Sequence, residues 1–93
     1  MELKFTKDFK RDRDFYSGDD KFFSQLAGKM KNLQEANLIE DVSGMIPIRG
    51  RKVHYRFKLI SGKIVYRVCI KILHNKVWFT IIDTYKKRFY DRI

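Results

Sequence analysis

The stretch that decides the fold reads Val53-His54-Tyr55-Arg56-Phe57-Lys58-Leu59-Ile60-Ser61-Gly62-Lys63-Ile64-Val65-Tyr66-Arg67-Val68-Cys69-Ile70-Lys71-Ile72-Leu73. Its first part alternates strictly. Val53, Tyr55, Phe57 and Leu59 share one parity, and His54, Arg56 and Lys58 share the other. Successive side chains of a strand point to opposite faces, so this pattern predicts a strand with one apolar and one cationic face. Ser61-Gly62 predicts a turn. Lys63 to Leu73 predicts the returning strand, with Ile64, Tyr66, Val68, Ile70 and Ile72 on the apolar side. Lys63, Val65, Arg67, Cys69 and Lys71 take the other side.

The rest of the chain arranges itself around this hairpin. His74-Asn75-Lys76 predicts a second turn. Val77–Thr84 predicts a third strand, apolar on both faces as an interior strand is. Tyr85 to Arg92 reads as a basic, aromatic tail. Toward the N-terminus, Glu2–Thr6 predicts a short strand, and Thr6 a cap for a short helix over Lys7–Tyr16. Ser17-Gly18-Asp19-Asp20 breaks the chain. Phe22, Leu26, Met30 and Leu33, widened by Phe23 and Ala27, form the stripe of an amphipathic helix over Asp20–Ala36. Asn37–Gly50, with the lone Pro47, reads either as an irregular linker or as a short extra strand. The predicted order is strand, helix, helix, then three antiparallel strands. That is a single α+β domain over residues 1–93, with the helices on one sheet face.

Composition narrows the function classes. The chain has 93 residues, 44% of them hydrophobic, which is globular rather than disordered. Its formal net charge is +10. Residues 1–48 hold 8 Lys/Arg and 9 Asp/Glu, whereas residues 49–93 hold 13 against 2, so the excess belongs to the second half. This asymmetry points to a polyanionic partner. No apolar run reaches the ~18 residues of a membrane span, and the charged N-terminus is no signal peptide. A soluble cytoplasmic protein with no membrane partner is expected. The single Cys69 excludes an internal disulfide framework and reads as a buried thiol. With one Cys and two His a zinc site is not expected. There is no glycine-rich phosphate loop and no paired-carboxylate signature, so neither metal nor cofactor is expected.

Arg56, Lys58, Lys63, Arg67 and Lys71 fall on one predicted sheet face. An ordinary solvated face would carry mixed signs, yet no Asp or Glu occurs between Asp41 and Asp83. Like charges side by side on a sheet are destabilising, so polyanion binding explains the pattern better. His54 either lines this face or is simply a polar residue at the strand's start. His74 lies in a turn. Tyr85, Phe89 and Tyr90 surround Lys86-Lys87-Arg88; the first two either stack on bases or pack as core. RNA cleavage needs a 2′-OH deprotonated, a phosphorane stabilised and a 5′-oxygen protonated. Crowded Lys, Tyr and Arg can share those tasks without metal.

Tyr55-Arg56-Phe57-Lys58-Leu59, the Ser-Gly turn, and Lys63-Ile64-Val65-Tyr66-Arg67-Val68 together resemble the basic hairpin of the RelE/ParE toxin superfamily, and of its RelE-like members in particular. Val77–Thr84 with Tyr85-Lys86-Lys87 is similar to the family's last strand and its basic exit. The resemblance spans most of the chain. It implies a toxin of a type II toxin–antitoxin system, an endoribonuclease that enters the ribosomal A site, cuts mRNA and is blocked by a cognate antitoxin. By position it implies that Arg56 and Lys58 contact mRNA and assist proton transfer. By the same match Lys63 and Lys87 would stabilise the transition-state phosphate, and Tyr90 would stack on or activate the substrate. His54, Arg67, Lys71, Lys86 and Arg88 would add RNA contacts. The chain departs from the pattern in having Lys at 63 and 87 for Arg, Arg at 56 for Lys, and a shorter tail before Tyr90. Two other readings compete: a ParE-like inhibitor of DNA gyrase with the same fold, and an RNA-binding module without catalysis.

Overall fold

The alternating hairpin forms where the parity places it. The structure is a computed structural model that describes residues 1–93. Its elements are β1 (Glu2–Phe5), α1 (Lys7–Phe15), α2 (Asp20–Glu35), a single 3-10 turn (Ile39–Asp41), β2 (Ile46–Pro47), β3 (His54–Ser61), β4 (Ile64–Leu73), β5 (Lys76–Asp83) and α3 (Lys86–Arg92). The α+β class and the leading β-α-α order are as expected. The sheet is larger than expected: five strands in the order β1-β5-β4-β3-β2. The short extra strand is the alternative that holds for the 37–50 region, with Ile46 opposite Arg56 and Pro47 opposite Tyr55. The sheet is mixed rather than purely antiparallel, because β1 lies parallel to β5.

Two predicted helix starts are capped as their residues require. The Thr6 hydroxyl accepts from the Phe9 N–H, and the Asp19 carboxylate accepts from the Phe22 N–H. Asp19 also receives the Ser61 hydroxyl at 2.9 Å and the Tyr66 hydroxyl at 2.7 Å, tying the α2 start to the β3–β4 hairpin. Burial and the neighbouring Asp19 push the Tyr66 phenol up to about 12. Its ring stacks on Phe22 at 3.9 Å. Tyr66→Phe keeps that stack and removes one hydrogen bond. Asp19 retains its other donors, so urea unfolding is expected to show a loss of about 1 kcal/mol. A loss above about 3 kcal/mol would mean that the hydroxyl anchors more than this bond.

The main core lies between the sheet and the first two helices. Phe9, Phe22, Leu26 and Leu33 meet Phe57, Val68, Ile70, Val77, Phe79 and Ile82, all buried. Beyond Ile70 opposite Phe79, the register jumps to Cys69 opposite Ile81. That bulge at Thr80 is why Phe79 and Ile82, three apart, both face the helices, while Ile81 faces away. The β4–β5 turn has positive φ at His74 (51°) and Asn75 (60°), as a two-residue hairpin turn of this hand requires.

The second correction concerns the last residues. Tyr85 to Arg92, read as a basic, aromatic tail, is helical from Lys86 to Arg92. It forms α3, and α3 packs on the sheet face opposite α1 and α2. Phe89 joins Ile48, Cys69 and Ile81 in a separate small core on that face. The helices therefore do not share one face. Seven residues with a single buried apolar side chain carry too little periodicity to announce a helix. Cys69 is buried, as expected, and burial pushes its thiol up. No helix is long and apolar enough to cross a membrane.

Candidate nucleic-acid interface

Register places the predicted cations in rows across the sheet face opposite α1 and α2. Lys58 lies opposite Arg67, which lies opposite Asp83. Arg56 lies opposite Cys69, which lies opposite Ile81. His54 lies opposite Lys71, which lies opposite Trp78. The middle row is the one that Phe89 covers, so Arg56 is half-buried beside the α3 contact rather than on an open plain. Lys58 is exposed, and Arg67 is half-buried with Nη1 donating to the Thr84 carbonyl at 3.3 Å. Lys63 sits exposed in the turn at the hairpin tip. It is four residues from Arg67 and so roughly 13 Å along the strand.

A carboxylate that the sequence reading passed over organises the other end. Asp83 is 1% exposed. Arg88 grips it with Nε at 2.8 Å and Nη2 at 2.7 Å, Arg92 reaches it at 3.1 Å, and the Tyr85 N–H donates at 3.0 Å. Burial alone would raise this carboxyl; the donors from Arg88, Tyr85 and Arg92 outweigh it and hold it at about 2. Arg92 also bonds Asp12 of α1 at 2.6 Å, and Asp12 accepts the Ile82 N–H at 3.0 Å. Past the end of β1, these two side chains take up the edge of β5, since Arg92 also donates to the Ile82 carbonyl. Arg88, an expected RNA contact, is thus committed to Asp83, and its charge is offset there.

Helical geometry sorts the remaining α3 residues. Phe89 points to the sheet, and Arg88 and Arg92 share the flank toward Asp83. At 100° per residue, Lys86 and Tyr90 share the opposite flank, and Lys87 points away from the sheet. Tyr90 is 39% exposed, its ring edge-on to Phe89 at 5.1 Å. Of the two roles left open for Phe89, core packing is the one it fills. Tyr85 is 61% exposed with the Arg88 guanidinium 5.7 Å from its ring centre.

The face also holds buried polar nitrogens with no partner in the chain: Arg56 Nη1, Arg67 Nε and His54 Nδ1. Two of these are guanidinium nitrogens on adjacent strands, Arg56 two residues before Lys58 on β3 and Arg67 opposite Lys58 on β4. Burial, with Arg51 and Lys71 nearby, lowers the His54 pKa. No carboxylate pairs with Arg56, Lys58 or Arg67, so their positive charge is left to attract an external anion such as a phosphate.

No family model matches the chain, and no curated protein sequence matches it. Solved structures do. A chain of the RelB–RelE antitoxin–toxin complex from Methanococcus jannaschii superposes with a TM-score of 0.72 at 20% identity, covering 97% of this chain and 98% of that one. A chain of the intact Escherichia coli RelBE toxin–antitoxin complex superposes with a TM-score of 0.66 at 23% identity, covering 90% and 95%. The chain has a RelE-like fold.

Proposed function

We propose, with the RelE-like fold as premise, that this chain is the toxin of a type II toxin–antitoxin pair and cuts mRNA in the ribosomal A site. The observation that carries the reading is the cluster of Arg56, Lys58 and Arg67 on adjacent strands of one sheet face, none of them paired with a carboxylate. Arg stays protonated at any physiological pH, so Arg56 and Arg67 hold the charge that builds on the scissile phosphate. Lys58, with Tyr90 and Lys86 of α3, moves protons between the 2′-OH and the 5′-oxygen. Lys63 and Lys87 lie at the rim and steer the strand by charge. Lys71 and His54 extend the surface beyond α3. No metal or cofactor takes part in this scheme. The partner that silences the site is an antitoxin that masks the cationic face, and the complex weakens with salt where exposed charge holds it.

Induced expression is expected to arrest growth and to leave transcripts cut within translated codons. Lys58→Ala and Arg56→Ala should each relieve the arrest, with circular dichroism and melting unchanged for the exposed Lys58. Removing one donor from a preorganised charge site costs about 10²-fold or more in rate. Growth arrest with intact transcripts and failing DNA supercoiling would replace the nuclease by a gyrase inhibitor. Harmless wild-type expression would end the toxin reading.

A further inference from the structure

The cationic face does not stop at α3. On the far side of that helix lies the row Lys4, Trp78, Lys71, His54, which crosses β1, β5, β4 and β3. Trp78 is the chain's single tryptophan. Its neighbours Val77 and Phe79 are wholly buried against α1 and α2, so its indole stands on the opposite face, half-buried. A large apolar ring on that face has no helix to cover it, because the apolar contacts of α3 are Ile48, Cys69 and Ile81 in the next row.

The indole is flanked by cations. The Lys71 ammonium lies 6.0 Å from the ring centre, and Lys4 is its cross-strand partner on the other side. Glu2 approaches Lys4 at 3.6 Å and Lys76 at 3.7 Å, but all three are well exposed. Such pairs contribute little and exchange readily for a stronger anion. Between this row and the end of α3 runs a groove of about 190 Å³, lined by Thr6, His54, Cys69, Thr80 and Arg92 among others.

An aromatic face bracketed by ammonium groups is the arrangement that binds single-stranded nucleic acid. The cations take the phosphates on either side and the ring takes the base between them. We propose that Trp78 is a stacking platform for one unpaired base of single-stranded RNA, with Lys4 and Lys71 holding the flanking phosphates. The inference rests on the reading of this sheet face as an RNA surface. It extends that surface past α3, where Arg67 and Lys71 are four residues and so roughly 13 Å apart along β4. The RNA strand therefore crosses the whole sheet and passes the end of α3 between the two patches.

The single tryptophan makes the test direct, since all indole emission comes from Trp78. The full chain is titrated at low salt with a short, 2′-O-methylated oligouridylate, which resists cleavage. Binding is followed separately by the anisotropy of a terminal dye. Inorganic polyphosphate serves as the backbone charge without bases. RNA should quench the indole with the same midpoint as the anisotropy, while polyphosphate displaces the RNA and leaves the emission of the free protein. Trp78→Leu should weaken RNA binding about tenfold and polyphosphate binding less than about twofold, and Trp78→Tyr should restore most of the loss. Should Trp78→Leu melt early, the Tyr variant and the quenching experiment decide alone. RNA binding with unquenched emission overturns the stacking platform and leaves the RNA surface standing. Failure of any RNA to bind at low salt overturns both.

Discussion

Asp83→Asn is expected to cost the protein about 3 kcal/mol and to erase part of its acid sensitivity. The carboxylate is 1% exposed and gathers two guanidinium groups and a backbone N–H. Removing one partner of a buried charge cluster leaves the others desolvated without compensation, and this costs about 3–5 kcal/mol in comparable sites. Arg88 is 56% exposed and escapes to water, which places the loss at the lower end. For a domain of this length that corresponds to a fall in melting temperature of roughly 15 °C. The pH dependence follows from the direction of the shift. Folding lowers the Asp83 pKa from 3.8 to about 2, so the unfolded chain binds the proton more readily. The stabilisation is complete above pH 4 and is lost as pH falls through 2, amounting to about 2 kcal/mol over that window. Urea melts of the two proteins should therefore differ most near pH 6 and converge toward pH 2. A gap that stays constant across that range would show that the Asn variant fails through packing and not through charge.

Phe89→Ala is the second large effect, and it is local. Phe89 is wholly buried, and its cluster has only three other buried members, Ile48, Cys69 and Ile81. Truncating a buried phenylalanine costs about 3–5 kcal/mol. Together with the Asp83 and Asp12 ion pairs, that burial is what fixes a seven-residue helix, because an isolated helix of this length is unstable in water. The main core of Phe9, Phe22, Phe57 and Phe79 lies on the other side of the sheet and loses nothing. Amide exchange in α3 should therefore accelerate at least a hundredfold, on the order of the energy lost, while β4 and β5 keep their protection. Trypsin should cut first at Lys86 and Lys87. Equal acceleration in β4 would show instead that the two cores unfold as one unit.

Much of this architecture was legible from local pattern. Period-two alternation named β3 and β4, and a 3.6-residue stripe named α2. Thr6 marked the start of α1 and the Ser17-Gly18-Asp19-Asp20 cluster the break before α2, because a short polar side chain can reach the orphan N–H groups there. The same alternation put Arg56, Lys58, Arg67 and Lys71 on one face, since parity within a strand is a property of the backbone alone. The hairpin turn then brought the two strands' cations side by side.

What the chain alone could not announce is which distant groups meet. The parallel pairing of β1 with β5 joins residues more than seventy positions apart, and no local period records it. The bulge at Thr80 reverses the parity of β5 halfway along. Asp83 read as one acid near the end of a basic half, yet folding buries it between Arg88 and Arg92 and ties α1 to α3 through Asp12. Trp78 read as one apolar residue in a two-faced strand, yet the placement of α3 over the neighbouring row leaves its ring on the cationic face. Local pattern determined that a sheet with one positive face would form. Only the tertiary structure decided where α3 crosses that face, which cations it neutralises and which it leaves free, because those outcomes depend on contacts between elements that carry no shared period.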